Sequence, residues 1–325
     1  DKNNNNFDKA VNVMDENINS FDIKIDNFDK KIKSIFNAKI CDIQHIGNGI
    51  SANVYKIIID KPPFVVAIKV AIDGELLKKE CDCIQFIYDI VDIKLPKIFD
   101  INIENKNNYI LMQYFDGVAC SDAKVLNAPI KTRQKIAAEI AENIVKLQNI
   151  KGEKYGNLFE PQFENWNDYY KPFVLKMIDC AVELSKQGIL QRSIVDTMNL
   201  AYKQYDNIFD EPISKPTLIH GDYWASNIIV DHEFHLIGVV DPFNAMWADS
   251  EYELFALNAV YGDKLPVLEE FQKLRKLSKK FDIKNEFYIL FSEVYWVTIM
   301  KHDNNDYLSK IAKRLMLQLQ KFNLL

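Results

Sequence analysis

The chain has 325 residues, of which 48% are hydrophobic and 12% aromatic, so it is long enough to bury two connected cores. Its formal net charge of -6 argues against a surface for polyanions, and we expect no nucleic-acid partner. The five cysteines form no CxxC pair, which favours a reducing compartment and predicts a cytoplasmic protein. The longest apolar stretch, residues 287–300, is too short to span a bilayer, so we expect no membrane association.

Residues 1–38 carry apolar side chains in steps of three and four, which is the spacing of an amphipathic helix. The stripe consists of Phe7, Val11, Met14, Ile18, Phe21, Ile25, Phe28, Ile32 and Ile35. Because the many Asn, Asp and Ser residues lower helix propensity, we interpret this segment as a helical extension that lies on the main body. A dimerising coiled coil is the alternative, so we expect a monomer or a weak homodimer formed through this helix.

The pattern changes after residue 38 to short β-branched runs. The predicted strands are 40–46, 54–59, 65–70, 98–103 and 109–114, with one helix at 75–90 between them. Hairpin-linked strands with a single helix indicate a small antiparallel β lobe, residues 39–116. Residues 117–325 show mostly helical periodicity, for example over 193–209 and 265–281, interrupted by a strand pair at 228–230 and 236–240. The sequence therefore predicts an α+β fold with a small N-terminal lobe and a larger, mainly α C-terminal lobe.

The segment His220–Asn227, with the sequence HGDYWASN, places a carboxylate five residues before an amide, and Asp241 ends the hydrophobic strand that follows. This is the order of a kinase catalytic loop and its metal-binding aspartate. Phosphoryl transfer needs a carboxylate that accepts the hydroxyl proton and oxygen ligands for magnesium, and Asp222, Asn227 and Asp241 supply that set. A loop with an ordinary Asx turn is the alternative, but the second aspartate favours catalysis.

The first lobe offers two candidate contacts for a nucleotide. A glycine-containing turn lies between the first two predicted strands, where backbone amides can approach phosphate oxygens, although a plain hairpin turn also explains it. Its candidate residues are Gly47, Gly49 and Ser51. Gln113, Tyr114 and Phe115 lie where the chain crosses between the lobes, so we expect their backbone to bind the adenine.

Lys69 ends the third predicted strand, in a run that otherwise has the character of a buried strand. A buried lysine usually needs an acidic partner. The following helix provides Glu75 and Glu80, and we predict that Glu80 orients Lys69 toward the α- and β-phosphates.

With these motifs the chain resembles the aminoglycoside phosphotransferase and choline kinase-like superfamily over residues 43–325. Within it, HGDYWASN and DPFNAMWADSEYEL are similar to the fructosamine (ketosamine) kinase pattern, HGDLWSGN followed by DPxxxxGxxExDL. The shared residues include Trp224, Asn227, Asp241, Pro242, Glu251 and Glu253. The chain departs from the pattern at Tyr223, Ser226 and Ala248, and Asp-Pro also occurs in some aminoglycoside and methylthioribose kinases.

The resemblance implies a protein-kinase-like fold and the use of ATP, with GTP as the alternative, together with Mg²⁺. It implies that Asp222 is the catalytic base, that Asn227 and Asp241 bind magnesium, and that Lys69 binds the phosphates. His220 is then a structural brace of the loop.

An acidic cluster follows the metal-binding aspartate and favours a cationic acceptor, although acids at a helix start are also explained by the helix dipole. Aromatic side chains would supply a ring face, with core packing as the alternative for Trp224. The candidate acceptor-binding residues are Trp224, Asp249, Glu251 and Trp296, with Glu253 and Glu293 as further acids.

We therefore predict a phosphotransferase that acts on a hydroxyl of a small amine-bearing, sugar-like acceptor, either an aminoglycoside or a ketosamine. A choline or methylthioribose kinase is one alternative. A non-catalytic nucleotide-binding scaffold that dimerises through the N-terminal heptads is another. A protein kinase is disfavoured because Pro242 replaces the phenylalanine of DFG and no APE-like segment follows.

Overall fold

The computed structural model describes residues 25–48, 52–103, 108–211 and 215–325. The chain divides into two units. Unit 1 consists of Asp1–Gly117 together with Ile237–Phe243, and unit 2 consists of Val118–Leu236 and Asn244–Leu325.

Unit 1 is built on an antiparallel five-stranded sheet with the strand order β1-β2-β3-β5-β4. Its strands are β1 (Ile40–Asn48), β2 (Ala52–Ile59), β3 (Val65–Ala71), β4 (Ile98–Asn102) and β5 (Asn108–Gln113). Its helices are α1 (Ile25–Phe36) and α2 (Gly74–Ile90). The strands form where β-branched residues concentrate, because such side chains pack well on a pleated surface.

Successive residues of β3 point to opposite faces of the sheet. Val66 and Ile68 lie on one face, in a core cluster that includes Phe28 and Ile32 of α1. Ala67 and Ala71 lie in a second cluster, which includes residues of α2. Phe28 and Ile32 of the N-terminal stripe therefore pack on the sheet, while residues 1–24 lie outside the described ranges.

The short segment 237–243 groups with unit 1, whereas the sequence prediction assigns it to the C-terminal lobe. The Val239 N–H donates to the Lys94 carbonyl at 2.8 Å. Gly238 lies against Phe115, since a Cβ at this position would be 2.2 Å from the ring. These contacts bring a distant part of the chain to the first unit, and sequence adjacency does not reveal them.

Unit 2 is mainly helical. Its helices are α3 (Ala123–Leu126), α4 (Ile130–Asn149), α5 (Trp166–Lys186), α6 (Arg192–Lys203), α7 (Tyr205–Ile208), α8 (Leu254–Ala259), α9 (Val267–Leu274), α10 (Phe281–Met300) and α11 (Asn305–Lys321). Its strands are β6 (Val118–Ala119), β7 (Tyr155–Asn157), β8 (Pro161–Phe163), β9 (Thr217–Ile219), β10 (Ile228–Val230) and β12 (Met246–Ala248), while β11 (Leu236–Val239) continues into unit 1. Strands β8, β7, β12 and β9 form one sheet in that order.

Helix α10 is the core element of unit 2, because its own apolar residues are buried along most of its length. Phe287 and Phe291, for example, are fully buried. No helix in the described ranges is both long and apolar enough to cross a membrane.

Two predicted helices are shorter than their apolar patterns suggest. The helical pattern over 193–209 divides into α6 and α7 at Gln204, and the pattern over 265–281 ends as α9 at Leu274. Arg275 adopts an extended conformation, and a few residues later the Ser278 N–H and hydroxyl donate to the Glu251 carboxylate. These side-chain bonds stabilise a loop in place of a continued helix.

Candidate active-site residues

Lys69 lies on the face of β3 that α2 covers, because it is two residues from Ala67 and Ala71 on the same strand. Its ammonium donates to Glu80 Oε2 at 2.7 Å and to Asp241 Oδ1 at 2.8 Å. Glu80 is buried on α2, whereas Glu75 is exposed at the first turn of the same helix. The structure therefore pairs Lys69 with Glu80, the carboxylate preferred from the sequence, and adds Asp241 as a second partner.

The charges of this Lys69 centre, which we define as Lys69, Glu80 and Asp241, keep the lysine protonated. Burial lowers the pKa of the Lys69 ammonium, but the carboxylates of Glu80 and Asp241 outweigh this effect and raise the pKa overall. The Asp241 side chain is 38% exposed, so a ligand can reach it. Asp241 also has a φ of 65°, an uncommon left-handed conformation that aspartate tolerates better than most residues.

A cation-π contact supports the segment that carries Asp241. The Lys79 ammonium of α2 lies 4.1 Å from the centroid of the Phe243 ring, two residues after Asp241. Burial lowers the pKa of Lys79. Helix α2 thus contacts both Lys69, through Glu80, and the segment behind Asp241, through Lys79.

The predicted nucleotide contacts of unit 1 are only partly described. Gly47 lies near the end of β1, where an added Cβ would meet no atom within 4 Å, while Gly49 and Ser51 lie outside the described ranges. The Gln113 side chain accepts a hydrogen bond from the Lys97 N–H at 3.3 Å. Lys56 lies over the Tyr114 ring, and Phe115 packs on Gly238.

The loop with Asp222 begins directly after β9 in unit 2. Gly221 has a φ of 78°, and a Cβ there would lie 2.1 Å from the Asn244 carbonyl oxygen, so glycine is required. A 3₁₀ turn, Ala225–Asn227, brings the Asn227 amide back to the loop. Asn227 Nδ2 donates to the Asp222 carbonyl at 2.9 Å and to Asp222 Oδ2 at 2.8 Å, which fixes the orientation of the carboxylate.

Glu253 fixes the backbone of the same loop through hydrogen bonds. Its carboxylate accepts the backbone N–H groups of His220 at 2.5 Å and Gly221 at 3.1 Å, and the Asp222 N–H donates to Nδ1 of the buried His220. Burial raises the pKa of Glu253 to about 8, against the two backbone hydrogen bonds that lower it. The sequence prediction treated Glu253 as a further acid near the acceptor, whereas the structure shows that it positions the loop.

The structure contradicts the prediction that Asp249 and Glu251 bind the acceptor. Both are buried, and both form ion pairs of 2.7 Å with Lys284 of α10. Asp249 Oδ2 also accepts from the Tyr288 hydroxyl at 3.0 Å, and Glu251 accepts from Ser278. The acidic cluster is therefore neutralised and hydrogen-bonded inside unit 2 and leaves no carboxylate for a ligand.

Aromatic side chains lie close to Asp222 in unit 2. Trp224 is half-buried and contacts Phe255 edge-on, with the ring centroids 5.8 Å apart. Tyr295 and Trp296 are half-buried neighbours on α10, 5.4 Å apart. Burial raises the pKa of Tyr295 to about 12, and the charge of Asp222 adds to this effect. Tyr295 was not predicted, because an aromatic residue in an apolar helix is more typical of core packing than of a site.

The side-chain oxygens of Asn227 and Asp241 are of the kind that binds a magnesium ion. The amide nitrogen of Asn227 donates to Asp222, so the side-chain oxygen of Asn227 remains as a possible metal ligand. Asp241 presents a partly exposed carboxylate. Mg²⁺ prefers oxygen ligands and is commonly held by one or two carboxylates together with substrate phosphates. In the described ranges, no group of three or more His, Cys, Asp and Glu side chains is arranged to hold a metal by itself.

The model of the fructosamine kinase family matches residues 25–321. The chain belongs to the fructosamine kinase family. This result confirms the family resemblance inferred from the motifs. This fructosamine kinase family member is similar to the chloroplastic protein-ribulosamine 3-kinases of rice, Oryza sativa subspecies indica and japonica. Each is 23% identical over 209 residues, covering 63% of this chain and 58% of the rice protein.

Solved structures show the same fold. A candidate fructosamine-3-kinase from Thermobifida fusca superposes with a TM-score of 0.66 at 15% identity, covering 90% of this chain and 98% of that protein. An ADP-bound aminoglycoside phosphotransferase gives a TM-score of 0.63 at 15% identity, covering 91% and 99%. The predicted α+β, protein-kinase-like fold of this fructosamine kinase family member is confirmed.

Proposed function

We propose that the protein is an ATP- and magnesium-dependent kinase that phosphorylates a hydroxyl group of a ketosamine or a related amine-bearing sugar. The observation that carries the proposal is the Asp222 carboxylate, held by Asn227 in a loop whose backbone is fixed by Glu253. A carboxylate in this setting is suited to accept the proton of an attacking hydroxyl. Family membership supports the class of reaction, and the rice relatives support an amine-bearing sugar as acceptor.

Unit 1 supplies the nucleotide-binding groups in this proposal. Lys69, kept protonated by its two carboxylates, binds the α- and β-phosphates. The turn after β1, with Gly47, Gly49 and Ser51, contacts phosphate oxygens, and the backbone of 113–115 binds the base. Asp241 of this unit, together with Asn227 of unit 2, would hold Mg²⁺, whose charge would offset that of the nucleotide phosphates.

Unit 2 supplies the acceptor side. Asp222 accepts the hydroxyl proton as the hydroxyl oxygen forms a bond to the γ-phosphorus, and the bond from that phosphorus to the β-γ bridging oxygen breaks. The products are the phosphorylated acceptor and a nucleoside diphosphate. Trp224 lines the acceptor side of the loop, where its exposed part can contact a sugar ring.

We also propose that the protein is a cytoplasmic monomer. All five cysteines are free, which suits a reducing compartment. Phe28 and Ile32 are buried against the sheet of unit 1, so these two residues of the N-terminal stripe are not available for a coiled coil.

The test is release of ADP by the wild type and by Asp222→Asn with fructosamines, aminoglycosides, choline, methylthioribose and neutral sugars as acceptors. We expect turnover on a fructosamine, and a fall in kcat on the order of 100-fold to 10,000-fold in the variant with unchanged nucleotide affinity. Asp263→Asn, on an exposed loop, is the matched control and should behave as the wild type. Near-normal turnover by Asp222→Asn would show that Asp222 is not the base.

A further inference from the structure

Glu293 lies in the second half of α10 and is only 8% exposed. No hydrogen bond or ion pair joins its carboxyl group to another residue of the described ranges, and burial by itself raises the pKa of this carboxyl to about 7. Buried polar groups are nearly always hydrogen-bonded, so an exception calls for an explanation, such as a bound ligand.

The other buried carboxyl groups of the described residues all have partners. Glu80 is paired with Lys69, Asp249 and Glu251 with Lys284, and Glu253 with two backbone N–H groups. Glu293 is therefore the exception among the buried carboxyl groups of the described residues. Its neighbour Tyr307 does not compensate for this, because the Tyr307 hydroxyl donates to the Ala259 carbonyl at 2.7 Å.

Aromatic residues connect the surroundings of Glu293 with those of Asp222. Trp296 is three residues after Glu293 on α10, so the two side chains are neighbours on one face of the helix. The Trp296 ring contacts Tyr295, and the charge of Asp222 acts on the Tyr295 phenol. Within four consecutive positions of α10 the chain thus places the carboxyl without a partner, a half-buried indole and a half-buried phenol on which the charge of Asp222 acts.

We propose that Glu293 and Trp296 form a binding site for a protonated amine of the acceptor whose hydroxyl is phosphorylated beside Asp222. The ammonium group forms a charge-assisted hydrogen bond with Glu293 and a cation-π contact with Trp296. This inference rests on the proposed function. It gives Glu293 the amine-binding role that was predicted for Asp249 and Glu251, whose carboxylates are instead ion-paired with Lys284. It also makes the charge of the acceptor, beyond its sugar ring, a determinant of specificity.

The test is equilibrium binding, measured by calorimetry, of 1-amino-1-deoxyfructose and of fructose, which lacks the amine. We expect the wild type to bind the amino sugar more tightly than fructose. Glu293→Gln should weaken binding of the amino sugar by roughly 10-fold to 100-fold, as for the loss of a hydrogen bond to a charged group, and leave fructose binding unchanged. Glu286→Gln is the matched control, because Glu286 is on the same helix and is paired with Arg314 at 2.9 Å.

Three results would overturn the inference: no preference for the amino sugar in the wild type, binding of neither sugar, or a preference that survives in Glu293→Gln. Trp296→Leu gives a second measurement if Glu293→Gln does not fold, since it should also reduce the preference. The binding assay is independent of turnover. A wild type that binds the amino sugar through Glu293 but transfers no phosphate would refute the proposed kinase activity and leave the binding site intact. An active kinase whose Glu293→Gln variant binds the amino sugar as tightly as the wild type would refute the binding site and leave the kinase activity intact.

Discussion

Two lysines, one in each unit, bind two carboxylates each, and Lys284 is buried while Lys69 is half-buried. Lys69 contacts Glu80 and Asp241 in unit 1, and Lys284 contacts Asp249 and Glu251 in unit 2. The two centres have the same formal charge and nearly the same distances. They differ in exposure, since the Asp241 side chain is 38% exposed while those of Asp249 and Glu251 are 3% and 9% exposed.

The difference lies in what binds the remaining carboxylate oxygens. In the Lys284 centre, which we define as Lys284, Asp249 and Glu251, the Tyr288 hydroxyl and the Ser278 N–H and hydroxyl donate to them. In the Lys69 centre, Asp241 is open to solvent on one side. A fully hydrogen-bonded charge cluster stabilises a fold, whereas an open one retains the capacity to bind a cation or a phosphate. We therefore expect opposite consequences when the two lysines are replaced.

Lys284→Met should give the larger effect, and that effect should be on stability. The substitution leaves two buried carboxylates without their cation, and breaking a buried pair in this way typically costs about 3–5 kcal/mol. Urea unfolding of the variant and the wild type would measure the change in the free energy of unfolding.

Two controls sharpen this test. Lys276→Met, at an exposed lysine, should stay within about 0.5 kcal/mol of the wild type. The triple variant Lys284→Met, Asp249→Asn and Glu251→Gln removes all three charges and should recover part of the loss. A Lys284→Met protein as stable as the wild type would show that the Lys284 centre is not structural.

Lys69→Met should instead act on the reaction. We expect kcat/KM for ATP to fall on the order of 100-fold to 1,000-fold, similar to the loss of one preorganised electrostatic contact to developing charge. Binding of ATP should weaken more than binding of adenosine, because the lysine contacts the phosphates only. Steady-state kinetics and calorimetry with both ligands would measure these changes.

Lys78→Met is the matched control, because Lys78 is on α2 and pairs with Asp82 at the surface. It should leave both constants unchanged. Equal losses of ATP and adenosine binding in Lys69→Met would assign Lys69 a structural role and remove the contrast between the two centres.

Most of the fold could be predicted from local patterns. The predicted strand at 65–70 is β3, Val65–Ala71, because alternating β-branched residues favour an extended strand. The predicted helix at 75–90 is α2, Gly74–Ile90, with Asp73 as its N-cap. The grouping of 237–243 with unit 1 could not be predicted, since it depends on contacts between residues more than 100 positions apart.

The site could be predicted where a motif places chemical groups close together in sequence, as in His220–Asn227. It could not be predicted where a partner is distant. The interpretation of Asp249 and Glu251 was wrong because Lys284 lies more than 30 residues later. A signal was present, since a lysine in the otherwise apolar α10 requires a buried acid, the same argument that predicted a partner for Lys69.

Glu253 is the third acid of the cluster that also contains Asp249 and Glu251. Unlike those two, it has no lysine partner among the described residues, and its carboxyl accepts hydrogen bonds from backbone groups only. Glu253→Gln replaces one acceptor oxygen by an N–H donor facing the loop, so one of the bonds to His220 and Gly221 is lost. Because small displacements of reacting groups are costly, we expect kcat to fall by roughly 10-fold to 100-fold, with the KM for ATP unchanged. Glu233→Gln, in an exposed turn, is the control.

The same variant tests the state of the Glu253 proton. Burial raises the pKa of this carboxyl from 4.5 to about 8, so between these values the folded protein binds a proton that the unfolded chain has released. Stability from this group is therefore complete below pH 4.5 and is lost as the pH rises toward about 8. The wild type should lose stability relative to Glu253→Gln across this window, because glutamine does not titrate and the other groups contribute equally to both proteins. Urea unfolding at several pH values would measure the difference. A difference that is constant, or that grows in favour of the wild type as the pH rises, would mean that Glu253 is ionised in the folded protein and accepts both N–H groups as a carboxylate.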